Sequence, residues 1–174
     1  MIKPLLFSKH SPTAAKPEDL VRLEAQLGLR FPQAFFEFCS RWNGGWTSKE
    51  NEMYPVPDSF LEFHEEYPGG KGVLARELFG ITDEFWQCSF IKEYERGCKE
   101  FGLMPISADI FGNRTVLRTD SPTKLVYWWD HELWEMPDEK SAGPKIAKRP
   151  RLIPIAENLE SFYNGLTTDP ERDY

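Results

Sequence analysis

The sequence predicts an α+β fold, a central mostly antiparallel sheet flanked by helices, and three observations predict it. Two short apolar stripes at helical spacing open the chain. Three strand-length runs separated by turn residues occupy its second half, and one more helical stripe closes it. Helices and antiparallel strands in separate blocks, rather than in βαβ alternation, are the mark of the α+β class. At 174 residues the length fits one domain spanning 1–174, its core about 17–166, between an irregular lead-in and an irregular tail. Such a chain buries enough surface to need no metal or disulfide.

The elements follow in order. Residues 1–15 have no periodicity. Pro17 suits a first helical turn, with Glu18 and Asp19 beside its positive end. Leu20, Leu23 and Leu27 repeat at i, i+3, i+7, and Gly28 offers a stop. A second helix begins at Pro32. Phe35, Phe38, Cys39 and Trp42 form its stripe, and Asn43-Gly44-Gly45 ends it, with a glycine there expected at positive φ.

Residues 52–57 read as an extended segment that two prolines keep at a sheet edge or out of the sheet. Residues 73–81 read as a strand. Between Asp83 and Gly102 a third helical region places Phe90, Tyr94, Cys98 and Phe101 on one face. Leu103–Asp109, Arg114–Asp120 and Lys124–Asp130 then read as sequentially paired strands, with Gly112 in the first intervening turn. A polar excursion at 137–150 precedes a last strand, Arg151–Ala156. A closing helix carries Leu159, Phe162, Tyr163 and Leu166 behind an Asn158 N-cap.

The chemistry is sparse. The three histidines, His10, His64 and His131, are scattered, and His64-Glu65-Glu66 lacks the second histidine of a zinc-protease helix. His131, just beyond a strand, reads as a structural hydrogen-bond partner. Gly69-Gly70-Lys71-Gly72 fails as a phosphate loop, because Glu65 stands where its first glycine belongs and Gly72 where its Ser/Thr belongs. No catalytic residue, metal ligand or cofactor is expected, and a novel enzyme remains only the remote alternative.

Cys39, Cys88 and Cys98 form no CxxC and leave one unpaired in any scheme, which fits a reducing compartment. The first ten residues contain no signal-like apolar region, and no run approaches a membrane span, so a cytoplasmic location is expected. A net charge of −7 argues against direct nucleic-acid binding and is compatible with a basic protein partner.

The acids are unevenly placed. Residues 50–66 carry Glu50, Glu52, Asp58, Glu62, Glu65 and Glu66 without a Lys or Arg; residues 130–139 carry Asp130, Glu132, Glu135, Asp138 and Glu139, again without one. Lys140, Lys145, Lys148, Arg149 and Arg151 follow directly. Solvated loops account for such runs as well as a steering surface does. On the second reading Asp58, Glu62, Glu65, Glu66, Trp134, Glu135 and Asp138 are the candidate partner-binding residues.

Four local patterns occur in the order found in the SUKH superfamily, which includes the fungal cell-wall-assembly regulators of the Smi/Knr type. Leu23-Glu24…Leu27-Gly28-Leu29-x-Phe31-Pro32…Trp42-Asn43-Gly44-Gly45 resembles its opening helices. Met104-Pro105-Ile106-Ser107-Ala108-Asp109…Gly112-Asn113 is similar to its strand and turn. Val126-Tyr127-Trp128-Trp129-Asp130-His131-Glu132 resembles its Trp-Asp-His-Glu strand, and Ile155-Ala156-x-Asn158-Leu159-x-x-Phe162 its closing helix. Stretches 60–100 and 133–150 match poorly, and Phe31 stands where an aliphatic is commoner. The resemblance implies a binding role. Bacterial members are typically immunity proteins that neutralise cognate polymorphic toxins, often nucleases; fungal members act as regulatory scaffolds. The matching residues, Pro32, Trp42, Asn43, Gly44, Gly45, Gly112, Trp129, Asp130 and His131 among them, are expected to be structural.

Overall fold

A computed structural model describes residues 1–8, 13–56, 72–82, 88–121, 124–135 and 149–168, with the backbone alone described for 133–135. Helix α1, Pro17–Leu27, starts on its proline and ends at Gly28, whose φ of 67° is the left-handed conformation a glycine adopts without a Cβ penalty. Leu20 and Leu23 face the core. Glu24 is buried as well, and its carboxylate accepts the Phe31 N–H at 2.6 Å, which ties α1 to the start of α2, Gln33–Arg41. Phe35, Phe38 and Cys39 are buried along α2, with Trp42 packed at the core's margin.

Asn43, Gly44 and Gly45 all have positive φ, 52°, 95° and 144°. The run does more than end a helix. A Cβ on Gly44 would stand 2.8 Å from the Gly80 nitrogen, and one on Gly80 would stand 2.1 Å from the Asn43 carbonyl carbon. The two backbones cross with no room for side chains. Asn43 is buried at the crossing, where its Nδ2 donates to the Thr13 carbonyl at 2.9 Å and its Oδ1 accepts the Ile81 N–H at 2.8 Å.

The main sheet has six strands in the order β1-β4-β5-β6-β7-β8, every neighbour antiparallel: β1 Gly45–Trp46, β4 Glu77–Leu78, β5 Leu103–Ala108, β6 Arg114–Arg118, β7 Val126–Glu135 and β8 Arg149–Ala156. The sequential pairing expected for the second half is observed. All six positions of β5 are buried, so this strand is covered on both faces. The closing helix α4 is Leu159–Gly165; the Asn158 side chain caps it by accepting the Ser161 N–H at 2.8 Å.

Several expectations are corrected. The strand expected at 73–81 is two strands, because the chain changes partner at Ala75–Arg76. Strand β3, Gly72–Leu74, pairs with β2, Met53–Pro55, in a separate two-stranded sheet, and only β4 joins the main sheet. Thr47 fixes the break: its hydroxyl lies 3.1 Å from the Ala75 carbonyl and 3.2 Å from that of Arg76.

The described part of the third helical region is one α-turn, α3 Phe90–Glu93, followed by a π-helical segment Tyr94–Cys98 and a 3₁₀ turn Lys99–Phe101. Phe90, Tyr94 and Cys98 are spaced at steps of four. All three are buried, so one face points inward through both the α and the π turn. The third sheet strand runs to Glu135, beyond the expected end at Asp130.

The described residues of the lead-in form one isolated antiparallel bridge, Phe7 to Thr47, and Ile2 and Leu5 are buried. The Ile2 N–H donates to Glu37 at 2.9 Å and the Lys3 N–H to Asn164 at 2.7 Å, so the segment spans α2 and α4. Much of the aromatic excess goes inside: Phe35, Phe38, Phe79, Phe90, Phe162, Tyr163 and Trp128 are fully buried.

The two glycine environments make separable predictions. Gly28→Ala meets no atom within 4 Å and loses only the left-handed preference, about 1 kcal/mol. Gly44→Ala adds a backbone clash and destabilises more. Denaturant midpoints of the two variants measure the difference, and equal losses count against the crossing.

Candidate functional site

Two segments far apart in sequence, Asp109–Asn113 and Asp130–Glu132, meet at one end of the sheet. Asp109 ends β5 and is buried. Its Oδ1 accepts the backbone N–H groups of Phe111 at 2.8 Å and Asn113 at 2.9 Å; its Oδ2 accepts the Asn113 side-chain Nδ2 at 2.9 Å. A carboxylate can only accept, so Asn113 must turn its amide nitrogen to Asp109 and its oxygen away. That oxygen lies 3.1 Å from His131 Nδ1. The His131 proton therefore sits on Nδ1, as donor to Asn113, and the imidazole is held in one tautomer and orientation.

Gly112, at φ 93°, leaves space for the ring, since a Cβ there would lie 3.4 Å from His131 Cε1. Arg114 supports the turn from the first residue of β6. Its Nη1 donates to the Gly112 carbonyl at 3.2 Å, its Nε donates to Glu93 at 2.8 Å, and its guanidinium lies 5.5 Å from the Trp129 ring centre.

Strand β7 is irregular at the same place. Trp129 pairs with Leu152 and Trp134 with Pro150, so Asp130, His131, Glu132 and Leu133 stand opposite Arg151 alone. Such a bulge breaks the ladder and re-aims the side chains it carries. Within it the Asp130 carboxylate accepts the Glu132 N–H at 2.8 Å, and Glu132 is exposed. Neither acid is ion-paired to a described residue. Within the first segment, Ile110 and Phe111 are 51% and 45% exposed. Among the described residues they are the only adjacent large apolar pair so exposed.

Of the sequence-derived partner-binding residues, Asp58, Glu62, Glu65, Glu66 and Asp138 lie outside the described residues. Trp134 and Glu135 lie on β7 opposite Pro150 and Arg149. Glu52 is corrected: it is buried, not part of an acidic surface, whereas Glu50 is exposed. Pro32 precedes α2, Trp42 follows it, and Trp129 is buried beneath Arg114.

The turn-and-bulge contact was not read from the sequence as a site. Its only signal was that Asp109…Gly112-Asn113 and Asp130-His131 both belonged to the four ordered patterns.

All three cysteines are buried. Desolvation pushes the Cys88 and Cys98 thiols up to about 12 and that of Cys39 higher still, which leaves no thiolate near neutral pH. Among the described residues no group of three His, Cys, Asp or Glu side chains could hold a metal. A cleft of about 450 Å³ beside α1 is lined by Lys16, Asp19, Arg22, Asn43 and Thr82, and its Arg22 is already paired with Asp19 at 2.6 Å. No helix among the described residues is long and apolar enough to cross a membrane.

A family model described as the SMI1 / KNR4 family (SUKH-1) matches residues 14–165. The chain belongs to this family. The match contains both helices of the opening, the whole main sheet, and each segment of the turn-and-bulge contact. No curated protein and no solved structure matches the chain. SUKH proteins bind partner proteins and are generally non-catalytic, so the coarse role of this chain is partner binding.

One carboxyl near the contact carries a measurable consequence. Glu77 on β4 is pushed up to about 7, first by desolvation and then by the nearby charges of Glu93 and Asp109, which outweigh Arg76. An acid raised on folding favours the protonated native state. Its cost is absent below the unfolded value near 4.5 and grows as pH rises to about 7. Glu77→Gln should therefore raise the urea midpoint more at pH 8 than at pH 4.5. An equal shift at both values would mean that Glu77 is not the titrating group.

Proposed function

We propose that this SUKH protein has no catalytic activity of its own and neutralises a cognate polymorphic toxin, a basic domain acting on nucleic acid, by direct contact in the cytoplasm. The observation that carries the reading is the acidic surface of the β7 bulge, on a chain of net charge −7 from a family of protein binders. Acids that are not ion-paired raise the encounter rate with a basic domain, and aromatics buried on contact supply lasting affinity. The three buried cysteines fit a compartment in which thiols stay reduced.

The test is co-expression with the C-terminal domain encoded by the neighbouring reading frame. Growth should stop with that domain alone and resume when this chain is present. A neighbouring cell-wall-pathway gene, or no rescue, would favour the regulatory-scaffold reading instead. In the complex, Trp134→Ala should speed dissociation, and joint charge reversal of Glu65 and Glu66 should slow association chiefly at low salt. Kinetics across a salt series measure both, and unchanged rates in both variants would place the interface elsewhere.

A further inference from the structure

We infer that the Ile110–Phe111 turn tip is the apolar anchor of the partner interface, inserted into a socket on a basic protein surface while Asp130 and Glu132 engage the socket's positive rim. The inference rests on the partner-binding reading above and goes beyond it by naming the residues at the centre of the contact.

The exposure of the tip is built in. Two large apolar side chains left in water gain nothing for folding, and a turn of this length would be satisfied by Gly, Asn or Ser at those positions. Instead the chain places Ile and Phe there and braces them. Asp109 accepts from the backbone N–H of Phe111 itself, Asn113 ties Asp109 to His131, and Arg114 holds the Gly112 carbonyl. The bracing matters for binding, because a side chain already fixed in place loses little further freedom on association. Single exposed apolar residues elsewhere, such as Leu6 and Val21, have no apolar large neighbour of comparable exposure beside them in the chain.

Charge decides the kind of partner. Of the charged groups on the described turn and bulge, Asp109 is saturated by three N–H donors and Arg114 is paired with Glu93. Asp130 and Glu132 are ion-paired to no described residue, and Arg151 on β8 is the one base opposite the bulge, so the bulge beside the tip keeps a net negative charge. An aromatic knob in an acidic rim complements an apolar pocket bordered by Lys or Arg. The backbone of the strand continues from the bulge to Trp134 and Glu135, which the sequence itself nominates.

The deciding measurement is surface-immobilised binding kinetics of full-length chain variants against the purified, inactivated C-terminal domain from the neighbouring frame. Phe111→Ala should raise the dissociation rate by roughly 30-fold or more, the scale of an anchoring aromatic. Val21→Ala, an exposed apolar control on α1, should leave it unchanged. Joint Asp130→Lys and Glu132→Lys should slow association at low salt and matter less at high salt. Thermal melts must show each variant folded. As a second readout, p-benzoylphenylalanine at position 111 should crosslink to the domain, and at position 21 should not. If wild type binds but Phe111→Ala dissociates at the wild-type rate and position 111 gives no crosslink, this inference fails alone. If wild type does not bind the domain, the toxin-neutralising reading fails and this inference falls with it.

Discussion

The crossing of the Asn43–Gly45 run over Gly80 is the constraint on which the rest of the structure depends. It joins the end of α2 to the chain leaving β4, and backbone meets backbone there with no space for a Cβ on either glycine. Asn43 adds side-chain hydrogen bonds at the crossing: its amide bonds the Thr13 carbonyl and the Ile81 N–H together. A buried amide fully engaged in this way stabilises one register and penalises others, since a shifted register would leave the same groups buried and unbonded. The position of α2 follows, and with it the packing of Phe35 and Phe38 against Phe90 and Tyr163.

From that junction the aromatic core extends as a chain of ring contacts rather than one stack. Phe31 touches Phe35 and Phe90, Phe90 stacks on Tyr94, and Phe38 stacks on Tyr163 at 4.8 Å. The rings span α2, α3 and α4, so helices that are short and individually weak are stabilised by shared burial. A composition rich in aromatics was equally compatible with a core and a contact surface. Among the described residues the fold assigns most aromatics to the core, which gives the exposed Phe111 its significance as an exception.

The turn-and-bulge contact uses the sheet differently. Beyond Trp129 strand β7 has no partner on β6 and only Arg151 opposite its next four residues, so local bonds replace the lost ladder. Asp130 bonds within its own strand, and His131 reaches across to Asn113. These bonds lie beside exposed apolar and acidic groups. Structural and binding roles need not be alternatives at this place.

The sequence by itself determined the elements whose signal is local. The apolar stripes and glycine stops of α1 and α2, the sequential strands β5 to β7, and the Asn158 cap all depend on residues within a few positions of one another. The family's ordered patterns were legible for the same reason. What required the tertiary structure was every feature defined by residues distant in sequence. The split of 73–81 is set by Thr47, the burial of Ile2 by α2 and α4, and the burial of Glu52 by its place in the fold. The turn-and-bulge surface belongs with these. Asp109, Asn113 and His131 are ordinary polar residues along the chain, and only the pairing of β6 with β7 brings the histidine within 3.1 Å of the turn it fixes. Periodicity reports which face of an element is apolar, but a long-range hydrogen bond leaves no periodic trace, so the fold alone decided that this histidine braces this turn.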